Sequence, residues 1–550
     1  MRADRTRADR TRWLWVHLAT LVLAVPVLLW VNRDQWFSGD EWGVITQRGL
    51  GANPQTLSIF APHFEHWTTV PILVFRAIYS SVAMRSYWPY VVVLIAVQLV
   101  VAHLLWRLLL RIGVHEAFAT AVAAIFVVMA IGWENVSTAW QITIITPIAL
   151  GFAALLVLPE RDRERDPERV PETARFGRRD VAVWALLVVG IMCSGTGVTM
   201  TIVVGIAALL RRGWKLALAD VSVPAVVYLV WYVTWGTEGQ RNQSSTADAL
   251  RGLPGFVWRG VTDAIGGFFR VDLLGPVVLV LLVAWLVWRA KPRLEPWPLV
   301  LACSTGAILG NALTGIRRAG TDGGASRYAY IVVVLLLPAL ALALQDVVAP
   351  FVRRHGRPVA YAAAAVLVAF TVVQVVGLND EVSNEIFVGE MRPRTLGTAV
   401  LLREQQPIIA DTLFGIIAEP RPSTIARLDA QGDLPSLDDV SHGDVLTAAE
   451  YVQMTVDGPD TQKYRVAGGT CTTIDKAADF PLTEASSLPV TTDRTGLFSV
   501  QFRDADGAGE PRPVYGVAKA PVVLNIARKD VTVRITPVPG GTLEVCGIRP

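Results

Sequence analysis

Two adjacent carboxylates, Asp40 and Glu41, stand in the segment "FSGDEW", just past the first long apolar run of the chain. Trp36, Phe37 and Trp42 flank them, so the sequence predicts that aromatic side chains anchor this loop at a membrane surface. A carboxylate placed there can take a proton from an attacking hydroxyl group. Taken alone, the pair fits ordinary solvated loop acids equally well.

Further polar residues follow later in the same loop, the first outer loop (residues 32–88), and in two more loops that adjoin apolar runs. These loops contain the segments "APHFEHWTTVP", "IGWENVSTAWQI" and "GIRRAGTDGGASRYAY". Their candidate residues are His63, Glu65, His66, Trp67, Glu134, Arg317, Arg318, Arg327 and Tyr328. Arginine binds a phosphodiester through a planar, bidentate fork, and fixed cations stabilise a departing phosphate. The residues therefore suggest transfer of a sugar from a lipid phosphate.

Other interpretations of these residues stay open. His63, Glu65 and His66 could bind a divalent metal ion together with Asp40, but no HExxH signature is present, and a structural role is favoured. No cofactor is predicted with certainty. The arginines could anchor lipid headgroups. The glycan-acceptor patterns at Asn135 and Asn242 are attributed to chance.

The elements that must position these residues are membrane spans. Of the 550 residues, 52% are hydrophobic and 18% are charged, against about 25% charged in soluble proteins. Apolar runs recur from Trp13 to Gly377 and predict about eleven spans, in a polytopic helical membrane protein. The run 181–210 is predicted to be a hairpin of two short helices that breaks at "CSGTGVT", because this places the flanking arginines on one side.

The charge pattern also predicts the topology. The N-terminal segment "MRADRTRADRTR" carries five arginines and is predicted to lie on the cytoplasmic side. The membrane is predicted to be a bacterial inner membrane. With the hairpin, the tail emerges on the outside. Residues 378–550 alternate short apolar strands with turns, which predicts an extracytoplasmic β-sandwich-like domain. Cys471 and Cys546 are predicted to form a disulfide there, with two unpaired thiols as the alternative.

The ordered set "SGDEW", "HFEHW", "GWEN", "SGTG" and "SRYAY" over residues 1–377 resembles the GT-C superfamily of integral-membrane glycosyltransferases. The tail resembles that of bacterial cell-wall arabinosyl- and mannosyltransferases. The resemblance implies a polyprenyl-phosphate sugar donor, a glycan or lipid acceptor, and a base in the first outer loop. By position, Asp40 is the base with Glu41 beside it, although the two could exchange roles.

The resemblance also assigns donor-phosphate contacts to His66 and Arg327, with Arg317 or Arg318 assisting, and we expect Asp40 and Arg327 to converge on one cavity. The remaining candidates, His63, Glu65, Trp67, Glu134 and Tyr328, are expected to contact substrate. Two other functions stay open: a transporter or flippase of lipid-linked saccharides, and a non-catalytic scaffold for cell-wall assembly. Membrane lipid is a further expected partner, and nucleic-acid binding has no support.

Overall fold

The computed structural model describes residues 2–48, 50, 57–159, 176–239, 246–292, 294–317, 325–384, 386–409, 420–458 and 470–548. The chain forms two compact units. The helical unit comprises Met1–Gln35, Leu57–Ala77 and Trp88–Glu385. The sheet unit comprises Trp36–Thr56, Ile78–Tyr87 and Ile386–Pro550. Two pieces of the first outer loop, Trp36–Thr56 and Ile78–Tyr87, belong to the sheet unit, and the predicted domain boundary at residue 377 stays a prediction.

The helices begin and end as follows. The first nine are α1 (Arg2–Val31), α2 (Asp40–Gln47), α3 (Thr69–Val82), α4 (Trp88–Arg111), α5 (Glu116–Val127), α6 (Glu134–Ser137), α7 (Ile142–Val157), α8 (Arg178–Ile191) and α9 (Thr196–Arg212). The others are α10 (Trp214–Thr234), α11 (Thr246–Phe269), α12 (Leu274–Arg289), α13 (Trp297–Arg317), α14 (Ser326–His355), α15 (Arg357–Ser383), α16 (Ile386–Arg403), α17 (Pro422–Ala430) and α18 (His442–Val452).

Several of these helices are long and apolar enough to cross a bilayer, which indicates a membrane protein. In the described part of the chain there are seven, or eight if the bent pair α11 and α12 forms one span. The predicted count of about eleven is not confirmed. The difference lies in α5, α8 and α9, which have 12, 14 and 17 residues and are shorter than the about 20 residues of a straight crossing.

The predicted hairpin in residues 181–210 is present as α8 and α9. Arg212 at the end of α9 pairs with Asp180 at the start of α8, so the two helices run antiparallel. Near the turn they approach closely: a Cβ atom on Gly197 would lie 2.3 Å from the carbonyl oxygen of Gly190. Only glycine permits this contact between the backbones.

A break in the helical path between α5 and α7 exposes backbone groups that two glutamines satisfy. Gln98 on α4 donates to the carbonyl of Val127 at 3.4 Å. Gln374 on α15 accepts from the amide of Ala130 at 2.9 Å and donates to the carbonyl of Phe268 at 2.8 Å. Irregular backbone in a membrane protein is tolerated where protein groups replace the missing hydrogen bonds. The loop that contains "GWEN" is therefore fixed from two sides.

The sheet unit contains two antiparallel sheets. Its strands are β1 (Met454–Asp457), β2 (Thr470–Ile474), β3 (Ala478–Leu482), β4 (Ser486–Thr492), β5 (Gly496–Arg503), β6 (Arg512–Gly516), β7 (Pro521–Ile526), β8 (Val531–Thr536) and β9 (Leu543–Ile548). One sheet has the order β1-β7-β4-β9-β2 and the other the order β3-β8-β5-β6. The C-terminal region is β-rich, as the sequence predicts.

The predicted period of two is confirmed on β8. Val531, Val533 and Ile535 are buried, whereas Thr532 and Arg534 between them are half-buried. Alternation of this kind places one face of a strand against the core and the other towards solvent.

The cysteine pair joins the two strands at one sheet edge. Cys471 on β2 lies opposite Cys546 on β9, and the two form a disulfide bond, as the sequence predicts. Cys193 and Cys303 are free and buried. A cross-link of this kind restrains the end of the chain.

The sheet unit also contains two helices, α17 and α18, which precede its first strand. The capping residue Ser441 starts α18: its hydroxyl accepts from the amide of Asp444 at 3.1 Å, and the Asp444 carboxylate accepts from the Ser441 amide at 3.2 Å. This reciprocal box is a strong helix start.

Candidate functional site

Glu41 is held inside the sheet unit by two hydrogen bonds. Its side chain is 0% exposed. One carboxylate oxygen accepts from the Tyr87 hydroxyl at 2.8 Å, and the other accepts from the Ser38 amide at 2.9 Å. A carboxylate with both oxygens engaged and no access to solvent supports the local structure. Glu41 therefore positions the start of α2.

Asp40 differs from its neighbour, since it is the first residue of α2 and is half-buried. The structure thus separates the two acids that the sequence leaves interchangeable. Asp40 retains access to solvent, as a proton acceptor for an external hydroxyl requires.

The aromatic residues around the acids are core residues. Trp36, Phe37 and Trp42 are 4%, 0% and 0% exposed. Trp42 donates through Nε1 to the carbonyl of Phe37 at 3.1 Å, and the Phe37 ring meets the Tyr87 ring edge-on at 4.9 Å. The prediction that they anchor a loop in the membrane interface is wrong, because buried rings cannot reach lipid.

In the helical unit, the segment "HFEH" forms a tight turn. His63 and His66 exchange two backbone hydrogen bonds of 2.9 and 3.0 Å, and Phe64 between them has a φ of 52°. His63 is 8% exposed, and its ring meets the edge of Trp140 at 5.3 Å. The Nε2 atom of His66 lies 3.6 Å from a carboxylate oxygen of Glu65. His66 and Glu65 face outward, while His63 packs inward.

The "SGTG" turn between α8 and α9 lies against His66. A Cβ atom on Gly195 would lie 3.2 Å from Nδ1 of His66, so the imidazole occupies the space that glycine leaves. Ser194 also donates to the carbonyl of Thr143 at 2.6 Å. The turn therefore connects the first outer loop with the start of α7.

Trp67 lies in the core. It is 6% exposed, stacks on Trp231 with ring centroids 5.2 Å apart, and donates through Nε1 to Thr69 at 2.7 Å. The expected contact of Trp67 with substrate stays a prediction. His63, which is almost as buried, also has a packing role.

Glu134 and Arg327 form the polar contact between the "GWEN" loop and α14. The Nε atom of Arg327 lies 3.9 Å from the Glu134 carboxylate, and the Arg327 amide donates to the same oxygen at 3.3 Å. The Glu134 amide donates in return to the hydroxyl of Ser326 at 3.2 Å. Both charged side chains keep part of their surface, 25% for Glu134 and 34% for Arg327.

This contact lies at the N-terminus of a 30-residue helix. The helix dipole favours negative charge there, and the Glu134 carboxylate supplies it by accepting from the Arg327 amide. The Arg327 guanidinium lies 5.4 Å from the ring of Tyr328, which is half-buried. The arrangement is suited to an anion at the start of α14.

Asn135, next to Glu134, has an orphaned amide. It is 0% exposed, and neither amide atom has a hydrogen-bond partner within the described structure. Burial makes Asn135 inaccessible as a glycan acceptor, which agrees with attributing that pattern to chance. Asn242 and Arg318 lie outside the described residues, and the same holds for the side chain of Arg317.

Four of the five quoted motifs thus make contacts in the helical unit, two by two, with Trp140 of the loop that contains "GWEN" between the pairs, and we call these segments the motif cluster. His66 contacts Gly195, His63 contacts Trp140, and Glu134 pairs with Arg327. The fifth motif, which contains Asp40, belongs to the sheet unit. The expected convergence of Asp40 and Arg327 therefore stays a prediction.

Metal ligands do not gather at the motif cluster in the described structure. Among the described residues, two groups of three candidate ligands are found, and both lie in the sheet unit. They are Cys471, Glu544 and Cys546, and His442, Asp504 and Asp506. The first group contains the disulfide. In the second, His442 Nε2 lies 2.8 Å from the Asp504 carboxylate, which is an ordinary surface pair.

One buried acid in the sheet unit is not predicted from the sequence. Glu450 on α18 is 0% exposed, and its carboxyl accepts from the Phe502 amide of β5 at 2.7 Å. Burial raises the pKa of Glu450 to about 9, against weaker opposing effects from that hydrogen bond and from Arg512 and Arg394. Glu450 is therefore protonated at neutral pH and joins the helices to a sheet.

No family model, curated protein or solved structure matches this chain.

Proposed function

We propose that this chain is a glycosyltransferase of a bacterial inner membrane. It moves a sugar from a polyprenyl-phosphate donor to an extracytoplasmic glycan or lipid acceptor with inversion at the anomeric carbon. The N-terminus is cytoplasmic and the sheet unit extracytoplasmic in this proposal. The disulfide between Cys471 and Cys546 supports that orientation, since such bonds persist in oxidising compartments.

The observation that carries the proposal is a pair of contacts within the helical unit, "HFEH" with "SGTG" and "GWEN" with "SRYAY", joined through Trp140, which follows "GWEN" in the same loop and meets His63. These short segments are far apart in the chain and carry the polar residues of the GT-C resemblance. The two pairs of segments provide an imidazole beside one carboxylate and a guanidinium beside another, all with partial exposure. A helix N-terminus beside the guanidinium adds a preference for anions.

In the proposed reaction, Asp40 takes the proton of the acceptor hydroxyl while its oxygen attacks the anomeric carbon of the donor. A carbon–oxygen bond to the acceptor forms, and the bond between the anomeric carbon and the phosphate oxygen breaks. The polyprenyl phosphate departs with the bonding electrons. Arg327 stabilises its charge through charge-assisted hydrogen bonds, with His66 as a second donor.

Asp40 is preferred over Glu41 as the base because the environments of the two differ. Both oxygens of Glu41 already accept hydrogen bonds, and its side chain has no exposed surface. Asp40, which is half-buried, meets the first requirement of a general base, access to the proton that it abstracts.

The test is sugar transfer in membranes supplied with radiolabelled polyprenyl-phosphate pentoses and hexoses, followed by release of polyprenyl phosphate. We expect Asp40→Asn to lower turnover by about 100-fold or more. The matched control is Asp34→Asn, an exposed acid shortly before it that pairs with Arg33 at 3.1 Å. Equal activity of both variants would overturn the assignment of the base.

The same variants separate the other functions. A flippase would still move lipid-linked saccharide across vesicle membranes in Asp40→Asn, without releasing polyprenyl phosphate. A scaffold would release none with any donor, even in the wild-type chain. Either result would contradict the proposal.

A further inference from the structure

A large cavity opens in the helical unit away from the motif cluster. Its volume is about 1710 Å³, and it lies among the middle of α1, the ends of α4, α7 and α14, and the starts of α5, α8 and α15. Small-molecule sites measure about 300–1,000 Å³. The cavity is thus large enough for a ligand with long chains.

The rim of the cavity is cationic. Arg107, Arg111, Arg179 and Arg353 line it, and Glu116 is the one carboxylate among the lining residues that the structure describes, which gives these residues a formal charge of +3 with histidine neutral. Arg107, Arg179 and Arg353 come from three different helices and are exposed. Arginines that converge from separate helices can surround a phosphate with several donors.

Arg111 contributes in a different way. Its guanidinium donates to the carbonyls of Leu155, Leu156 and Leu158 at 2.6–2.8 Å, and so it closes the C-terminus of α7. The arginine is thereby fixed at the wall. Its charge is offset in part by the negative end of that helix.

The interior of the cavity is apolar and follows one helix. Ala360, Ala364, Leu367 and Thr371 recur at helical spacing along α15 and line the cavity. The stretch from Ala360 to Thr371 is about 16 Å long at 1.5 Å per residue, close to the half-thickness of about 15 Å of a hydrocarbon core.

The cavity exists because α15 is anchored at one end. Its buried residues are Gln374, Gly377, Leu378 and Val382, all in the C-terminal half. Gln374 holds this end through its bonds to Ala130 and Phe268. The N-terminal part of α15 has no buried residue, so a gap remains between it and α5 and α14.

We propose that this cavity binds a diacyl phospholipid with an anionic headgroup, whose phosphate contacts Arg107, Arg179 and Arg353 and whose acyl chain lies along α15. Basic pockets between transmembrane helices bind anionic lipid headgroups in this manner. The combination of a cationic rim with a long apolar wall favours a lipid over a free anion. This inference does not rest on the proposed sugar transfer.

The headgroup is tested with paired substitutions that change the charge equally. The full chain is placed in nanodiscs of phosphatidylglycerol and phosphatidylcholine, and retained lipid is counted by native mass spectrometry. We expect Arg179→Gln with Arg353→Gln to weaken phosphatidylglycerol retention by about tenfold or more. The control is Arg178→Gln with Arg354→Gln, the adjacent exposed arginines that do not line the cavity.

The acyl chain is tested on α15. Ala364→Trp should expel the lipid, whereas Ala365→Trp, an exposed neighbour outside the lining, should retain it. Equal losses in both arginine pairs, or equal retention of phosphatidylcholine and phosphatidylglycerol, would overturn the proposal. Displacement of the lipid by inorganic phosphate alone would also overturn it, because the site would then bind a small anion.

Discussion

The carboxylate of Glu134 holds Arg327 twice, by its backbone amide at 3.3 Å and by its guanidinium at 3.9 Å. The pair joins the "GWEN" loop to the start of α14. Because both side chains are partly exposed, the pair contributes about 0–1 kcal/mol to stability. A large effect of Arg327 on activity would therefore report function rather than folding.

Arg327→Lys and Arg327→Ala are expected to lower sugar transfer from a polyprenyl-phosphate donor by about tenfold and 100-fold, respectively. Lysine keeps the charge but lacks the planar fork that binds a phosphate through two hydrogen bonds. Kinetics on membranes and the melting temperature of each variant provide the measurement. Arg33→Ala, an exposed arginine at the end of α1, is the control. A loss of melting temperature in proportion to the loss of activity would show that Arg327 is structural.

Glu41→Ala is expected to destabilise the protein by about 1–3 kcal/mol, since the Tyr87 hydroxyl and Ser38 amide lose their acceptor in a buried place. Asp40→Asn should leave the unfolding temperature unchanged. Thermal unfolding of the full chain in detergent compares the two. A reversed order of stabilities would refute the division of roles between these acids.

Features that depend on local sequence patterns could be predicted from the sequence. The period-two pattern of Val531 to Ile535 and the hairpin at Gly195 follow from local chemistry, and the structure contains both. The disulfide between Cys471 and Cys546 could be predicted because both cysteines lie in a tail that is expected in an oxidising compartment. Hydrophobicity also identifies the apolar helices, although not which of them are long enough to span.

Other features depend on long-range packing that no local pattern encodes. Trp36 and Trp42 are of the residue type that anchors loops at a membrane interface, but tertiary contacts bury them in the sheet unit. Gly195 leaves space for the imidazole of His66, a residue that is remote from it in the chain. Nothing around Glu450 in the sequence predicts the burial that neutralises it, because that burial comes from Phe502 and its sheet.

Gly195→Ala and Gly197→Ala should separate site geometry from fold. The new methyl on Gly195 would press on His66 at 3.2 Å, so we expect normal stability with weaker donor binding. The methyl on Gly197 would meet the Gly190 carbonyl oxygen at 2.3 Å and force the hairpin apart, at a cost of about 1–3 kcal/mol. Melting temperature and the KM for donor are the two measurements. Identical behaviour of both variants would contradict this distinction.

Glu450 predicts a pH dependence of stability. Its pKa is about 9 in the folded protein and near 4.5 when unfolded, so the folded state retains a proton that the unfolded chain loses between these values. The stabilisation that this group contributes is therefore fully present below pH 4.5 and is lost as the pH rises towards 9, by up to about 1.4 kcal/mol per pH unit. Unfolding of the wild type and of Glu450→Gln between pH 5 and 9 measures the difference. Parallel pH profiles would show that Glu450 is not the source.

The location of the donor phosphate tests the account most directly. A polyprenyl phosphate with a photoreactive group next to the phosphate is cross-linked to the wild-type chain, and the labelled peptides are identified by mass spectrometry. We predict labels on the segments that contain His66, Gly195, Glu134 and Arg327. These labels should be lost in the Arg327→Ala variant and retained in the Arg33→Ala variant. Labels confined to peptides outside the motif cluster, unaffected by Arg327→Ala, would contradict the proposed site.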